Sequence, residues 1–157
     1  MDLHPDKVSN HEMGVIFENL IRRFAEQSNE EAGEHFTPCD VVELMTRLIF
    51  NENGVHLQEK NFIKKIYDPA CGTGGMLTSC KEFINEINNT IDVVLYGKDV
   101  NEEIYAICKA NMLMKGEESE NIKGPSSTLS DDWLPDDSFD YMISNLPYSR
   151  KWEHGPE

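Results

Sequence analysis

Met13, Ile16, Phe17, Leu20, Ile21 and Phe24 recur at the spacing of one helical face, with Ser9 and, three residues on, Glu12 forming a capping box before it. The pattern predicts an amphipathic helix that must pack on something. Gln27 to Gly33 is polar and reads as a linker; Thr37 and Pro38 then supply a capping hydroxyl and a proline at the first helical position, followed by Val41, Leu44, Met45, Leu48 and Ile49. A second helix is expected there, and Asn51 to Asn61 is polar and irregular.

From Ile63 the period shortens. Ile63 to Tyr67 reads as a strand, Met76 to Ile87 returns to helical spacing, and Val93 to Tyr96 is a second strand. Asn101 caps a helix over Glu102 to Met114, whose acidic first turn suits the helix dipole and which Gly116 stops. Ile122 to Gly124 is a weak third strand, Ser126 to Asp137 a turn-rich loop, and Phe139 to Ser144 a fourth strand. Strands alternating with helices predict an α/β fold with a parallel sheet, whose ligands gather beyond the carboxyl ends of the strands.

The bend between the first strand and its helix is Asp68-Pro-Ala-Cys-Gly-Thr-Gly-Gly75. Gly72, Gly74 and Gly75 tolerate positive φ and leave no Cβ in the way, so a ligand can approach the backbone beside a helix N-terminus. The spacing is not the G-x-G-x-x-G of dinucleotide sites, which argues against a nicotinamide oxidoreductase. Asp99 follows the second strand, where a carboxylate can accept from both hydroxyls of a ribose. Further on, Asp140-Tyr-Met-Ile-Ser-Asn-Leu-Pro-Tyr148 is an apolar strand ending in an amide, a proline and an aromatic ring.

Composition narrows the picture. The 157 residues make one domain's worth, able to bury about two-thirds of the unfolded surface. No stretch reaches the roughly twenty apolar residues of a membrane span, and the N-terminus is polar, so no span or signal peptide is expected and the chain reads as cytoplasmic. The four cysteines, Cys39, Cys71, Cys80 and Cys108, fall in different elements without a C-x-x-C pair and read as reduced thiols, with no metal site expected. A net charge of -15, with no basic stripe beyond Arg150 and Lys151, argues against this polypeptide gripping DNA by itself.

Phe36-Thr-Pro38, the glycine turn and Asn145-Leu-Pro-Tyr148 together resemble the amino-methyltransferases of DNA, specifically the modification subunit of type I restriction-modification systems, over nearly the whole chain. The resemblance implies a Rossmann-like, S-adenosylmethionine-dependent methyltransferase fold with N-terminal helices, here ending after the fourth strand. It divides the chain into an N-terminal helix and linker (1–34), an incomplete cofactor-binding core (35–150) and a tail (151–157).

The same resemblance implies site-specific methylation of adenine N6 in DNA. Cofactor-binding positions would be Phe36, Thr37, Pro38, Asp68, Pro69, Ala70, Gly72, Thr73, Gly74, Gly75, Asp99, Thr128 and Leu129; Asp131 and Asp132 are both open as the acid near the cofactor's adenine. Asn145, Leu146, Pro147 and Tyr148 would be catalytic. Asn145 and the carbonyl of Leu146 accept from the adenine amine, and Tyr148 stacks on a base swung out of the duplex. Leu146 departs from the family's proline. The implied partners are DNA and the specificity and restriction subunits, and the apolar fourth strand suggests self-association through an open edge. A non-catalytic module that binds cofactor or partner and regulates or mimics the modification complex is the alternative.

Overall fold

The computed structural model describes residues 8, 10–27, 37–51 and 63–147. Ser9, Phe36 and Tyr148 lie outside the described residues, as do the Gln27 to Gly33 linker beyond Gln27 and the 151–157 tail. The elements run α1 (Asn10–Gln27), α2 (Cys39–Asn51), β1 (Ile63–Asp68), α3 (Gly75–Ile87), β2 (Asp92–Lys98), α4 (Glu102–Met114), β3 (Ile122–Lys123) and β4 (Tyr141–Met142).

The four strands are parallel in the order β3-β2-β1-β4. The chain therefore leaves the sheet centre in one direction through β2 and β3, then returns to the other side of β1 with β4. That reversal is the topological switch at which doubly wound sheets bind their ligands.

Alternation along each strand separates two faces. Ile66, Val93, Leu95 and Ile143 point to the helices and form the core with Phe50 of α2, Leu77, Cys80 and Ile84 of α3, and Cys108 and Met112 of α4. Tyr67 and Tyr96, paired in register, point the other way. There the 126–139 loop covers them: Phe139 stacks on Tyr67 at 4.7 Å and meets Tyr96 edge-on at 5.3 Å, and Trp133 lies 6.4 Å from Tyr96. α1 packs against α4, with Gly14 so close to Lys115 that an added Cβ would lie 2.4 Å from its Cγ.

Most predicted boundaries agree within one or two residues, and the Asn101 cap is present: its side chain accepts from the amides of Glu103 and Ile104. β4 is shorter than the predicted Phe139 to Ser144. Asp140 takes the Lys65 amide on its carboxylate at 2.9 Å, displacing a strand carbonyl, and Phe139 is drawn into the aromatic cluster. Among the described residues no helix is long and apolar enough to cross a membrane.

Candidate functional site

At the carboxyl ends of β1 and β2 the chain folds the glycine turn back over the sheet. Gly72 and Gly74 have φ of 55° and 80°, in the left-handed region that favours glycine. At Gly74, the residue before α3, an added Cβ would also lie 2.4 Å from Met112 Cε and 2.8 Å from Cys108 Sγ. The turn is stitched to β2 by two backbone donors: Cys71 N–H to the Lys98 carbonyl at 2.9 Å, and Gly72 N–H to Asp99 Oδ2 at 3.0 Å. Gly97 makes this approach possible, since a Cβ there would lie 3.0 Å from both Cβ and Sγ of Cys71.

Asp99 is buried, and its other oxygen accepts from the Asn101 amide at 2.8 Å. The predicted ribose carboxylate is thus oriented by the backbone on both sides, each oxygen keeping a lone pair for a further donor. Asp68, at the end of β1, is 1% exposed and accepts from the Ala70 amide at 3.0 Å. Burial pushes its carboxyl up to about 7; the Ala70 amide and the nearby Ser144 hydroxyl pull it down, and the charge of Asp99 pushes it further up. Among the described residues Ser144 Oγ is itself buried without a hydrogen-bond partner of normal geometry, although it lies near enough to Asp68 to favour the ionised carboxyl.

The loop after β3 closes over the same place. Thr128 Oγ1 donates to the Pro69 carbonyl at 2.6 Å, and the Ser126 amide donates to the Asp99 carbonyl at 3.3 Å, while Leu129 is exposed. On the β4 side, Asn145 Nδ2 donates to Thr37 Oγ1 at 3.1 Å, joining two motifs 108 positions apart. Thr37 was expected to cap α2; the Pro38 carbonyl accepts the first helical amides of Val41 and Val42. With Nδ2 committed to Thr37, the Asn145 side chain has Oδ1 left as an acceptor. Leu146 and Pro147 follow on the surface.

Three features were not foreseen from sequence. Asn111 of α4, fully buried, donates to the Thr73 carbonyl at 3.0 Å and so supports the glycine turn from below. Lys98 is buried beneath the 126–132 loop with its ammonium on Asp131. The thiols of Cys71 and Cys108 lie 3.8 Å apart; their mutual hydrogen bond, then burial, push the Cys71 thiol upward, while burial pushes Cys80 up to about 11. A polar residue inside an otherwise apolar helix face or strand end was the available signal for Asn111 and Lys98.

Among the described residues no cluster of three or more His, Cys, Asp or Glu is arranged to hold a metal ion. A recess of about 360 Å³ between α2 and α3, lined by Glu43, Thr46, Arg47 and Phe83 among others, includes none of the predicted site residues. The strand ends thus bring together two buried carboxyls, Asp99 and Asp68, and a turn in which Gly72 and Gly74 carry no side chain.

A family model described as N-6 DNA methylase matches residues 8–156. The chain is similar to the methylase subunit of the type I restriction enzyme MpnII of Mycoplasma pneumoniae, 27% identical over 156 residues that make up 94% of this chain and 27% of that protein. To the methylase subunit of the type I enzyme EcoEI of Escherichia coli it is 29% identical, over 94% of this chain and 29% of that one. The solved type I methyltransferase subunit of Streptococcus thermophilus superposes with a TM-score of 0.73 at 30% identity, over 98% of this chain and 31% of the other. The chain thus spans between a quarter and a third of the length of these relatives.

Proposed function

The chain belongs to the N-6 DNA methylase family, and from that footing we propose that it is the cofactor-binding and catalytic portion of a type I modification subunit. In this reading it transfers a methyl group from S-adenosylmethionine to the N6 amine of adenine in DNA, in the cytoplasm, assembled with specificity and restriction subunits. The observation that carries the reading is the convergence, at the carboxyl ends of β1, β2 and β4, of the Gly72 amide on Asp99 and of Asn145 on Thr37.

Asp99 would hold the ribose hydroxyls and Asp68 the methionine amine, with Gly72, Thr73 and Gly74 giving close backbone approach and Pro69, Ala70 and Gly75 framing the turn. Thr128 and Leu129 would wall the adenine side, and Phe36, Thr37 and Pro38 the methionine end. Bound there, S-adenosylmethionine supplies an electrophilic methyl on a sulfonium. The exocyclic amine of adenine is a weak nucleophile because its lone pair is delocalised into the ring. Asn145 Oδ1 and the Leu146 carbonyl, accepting from its two N–H bonds, would hold the amine and favour localisation of the pair on nitrogen. Tyr148 would stack on the flipped base and Pro147 would keep Leu146 extended.

Titrating S-adenosylmethionine into the 157-residue chain and into Asp99→Ala by calorimetry tests the cofactor half. Wild-type binding, with about 2.7 kcal/mol of thermal stabilisation at a hundredfold excess over Kd, and its loss in the variant are expected. A folded wild-type chain that binds nothing would refute it. The non-catalytic alternative is favoured by one observation, leucine at position 146 where the family's motif has proline, and is selected by co-purification with a specificity subunit without methyl transfer.

A further inference from the structure

Lys98 ends β2 on the face shared with Val94 and Tyr96, away from the helices, and its side chain is 1% exposed. Among the described residues its ammonium donates to two acceptors, both of one residue in the loop after β3: the Asp131 carbonyl, and Asp131 Oδ2 at 3.2 Å. Burial is unequal across this pair, for the Asp131 side chain is 59% exposed. If the Asp131 contact is lost while the loop still covers Lys98, an unpaired charge is left inside the protein, whereas Asp131 is already largely in water. A buried, uncompensated ammonium is the costly state, so the loop closes over Lys98 only in the position that keeps Asp131 on it.

The same residue governs the other wall. The Lys98 carbonyl accepts from Cys71 N–H in the glycine turn, and the next residue, Asp99, holds the Gly72 amide. Loop and turn are also joined directly, Thr128 Oγ1 to the Pro69 carbonyl. One end of β2 thereby fixes both the turn under the cofactor site and the loop beside it.

We propose that Lys98 is a positioning residue: by holding Asp131 it locks the 126–132 loop against the ends of β1 and β2 and so sets affinity for the nucleoside half of the cofactor. Of the two acids the sequence left open, Asp131 is then the latch and is not the group facing the adenine. This rests on the S-adenosylmethionine reading above and adds to it a residue that is not among the cofactor-binding positions the resemblance implies.

Lys98→Met tests it, because methionine fills the same unbranched channel without donors. S-adenosylmethionine and 5′-methylthioadenosine, which carries the nucleoside without the amino-acid group, are titrated into the variant and the wild type. Both Kd values should rise by the same factor, about ten- to a hundredfold from the loss of a charge-assisted contact. The melting temperature of the unliganded chain should stay at the wild-type level or above it. Kd values within twofold of wild type, a fall in melting temperature alone, or weakening of S-adenosylmethionine without methylthioadenosine would each overturn the inference.

Asp131→Ala keeps the core lysine and the main-chain acceptor, and should raise both Kd values by a smaller factor. It decides the question should Lys98→Met fail to fold, since unchanged affinities there also overturn the latch. Failure of the wild-type chain to bind either ligand defeats the cofactor reading itself. Binding that survives in both variants defeats only the role of Lys98.

Discussion

Asp68 shows how burial sets chemistry at a single position. Its folded carboxyl titrates near 7 and the unfolded one near 3.8, so the folded state holds the proton more tightly. Stability from this group is therefore full below pH 4, falls as pH rises through 7, and is lower by about 4 kcal/mol above that. Asp68→Asn removes the ionisation: in urea unfolding its stability relative to wild type should increase from pH 4 to pH 8, and a constant difference would contradict the assignment. A cationic amine bound beside Asp68 reverses the preference, so S-adenosylmethionine should bind more tightly at pH 8 than at pH 6 with release of a proton, seen as buffer-dependent heat. Leu146 is the other informative position. A leucine keeps the carbonyl but restores an N–H and frees φ where the family has proline. In a complete, assembled subunit Leu146→Pro should raise turnover; level or lower turnover would show the acceptor pair to be unimpaired by leucine.

At the scale of elements, the α4 N-terminus carries the clearest local signal. Asn101 accepts from two amides that would otherwise be orphaned, so Asn101→Ala should cost about 1 kcal/mol, read as a shift in the denaturation midpoint with unchanged slope. Gly74→Ala should cost more, about 2 kcal/mol, since it adds left-handed strain to a collision with Met112 and Cys108. These two positions also show what sequence makes legible. Asn101 was readable because a cap is a short-range pattern, and the glycine turn because it breaks one period and starts another. Gly97, Asn111 and Lys98 were not, because their reasons lie across the fold, in Cys71, Thr73 and Asp131. The Thr37 to Asn145 bond has the same character: each motif was visible alone, and only the return of β4 beside β1 brings them together. β4 itself was overread because an apolar run does not reveal that Asp140 will occupy the Lys65 amide.

For the whole molecule the governing facts are the charge and the open side of the sheet. With a net charge of -15 and phosphate neutralisation supplying most non-specific affinity, the chain alone should not retard duplex DNA at physiological salt. Retardation that persists at 0.2 M salt would mean a local contact stronger than the composition allows. The helices cover one face, whereas the other has the 126–139 loop over Tyr67 and Tyr96 and leaves Ile63 and Met142 exposed at 61% and 60%. Among the described residues β4 pairs with β1 alone, so its outer edge presents unpaired backbone groups beside that apolar surface. Charge repulsion opposes contact between copies while apolar burial favours it, and salt separates the two because it screens only the first. Light scattering should therefore find the mean mass rising with salt from 0.05 to 0.5 M, and Met142→Lys, which places a charge on the exposed face, should abolish the rise. A mass that stays monomeric throughout, or a rise unaffected by Met142→Lys, would place any association elsewhere than at β4.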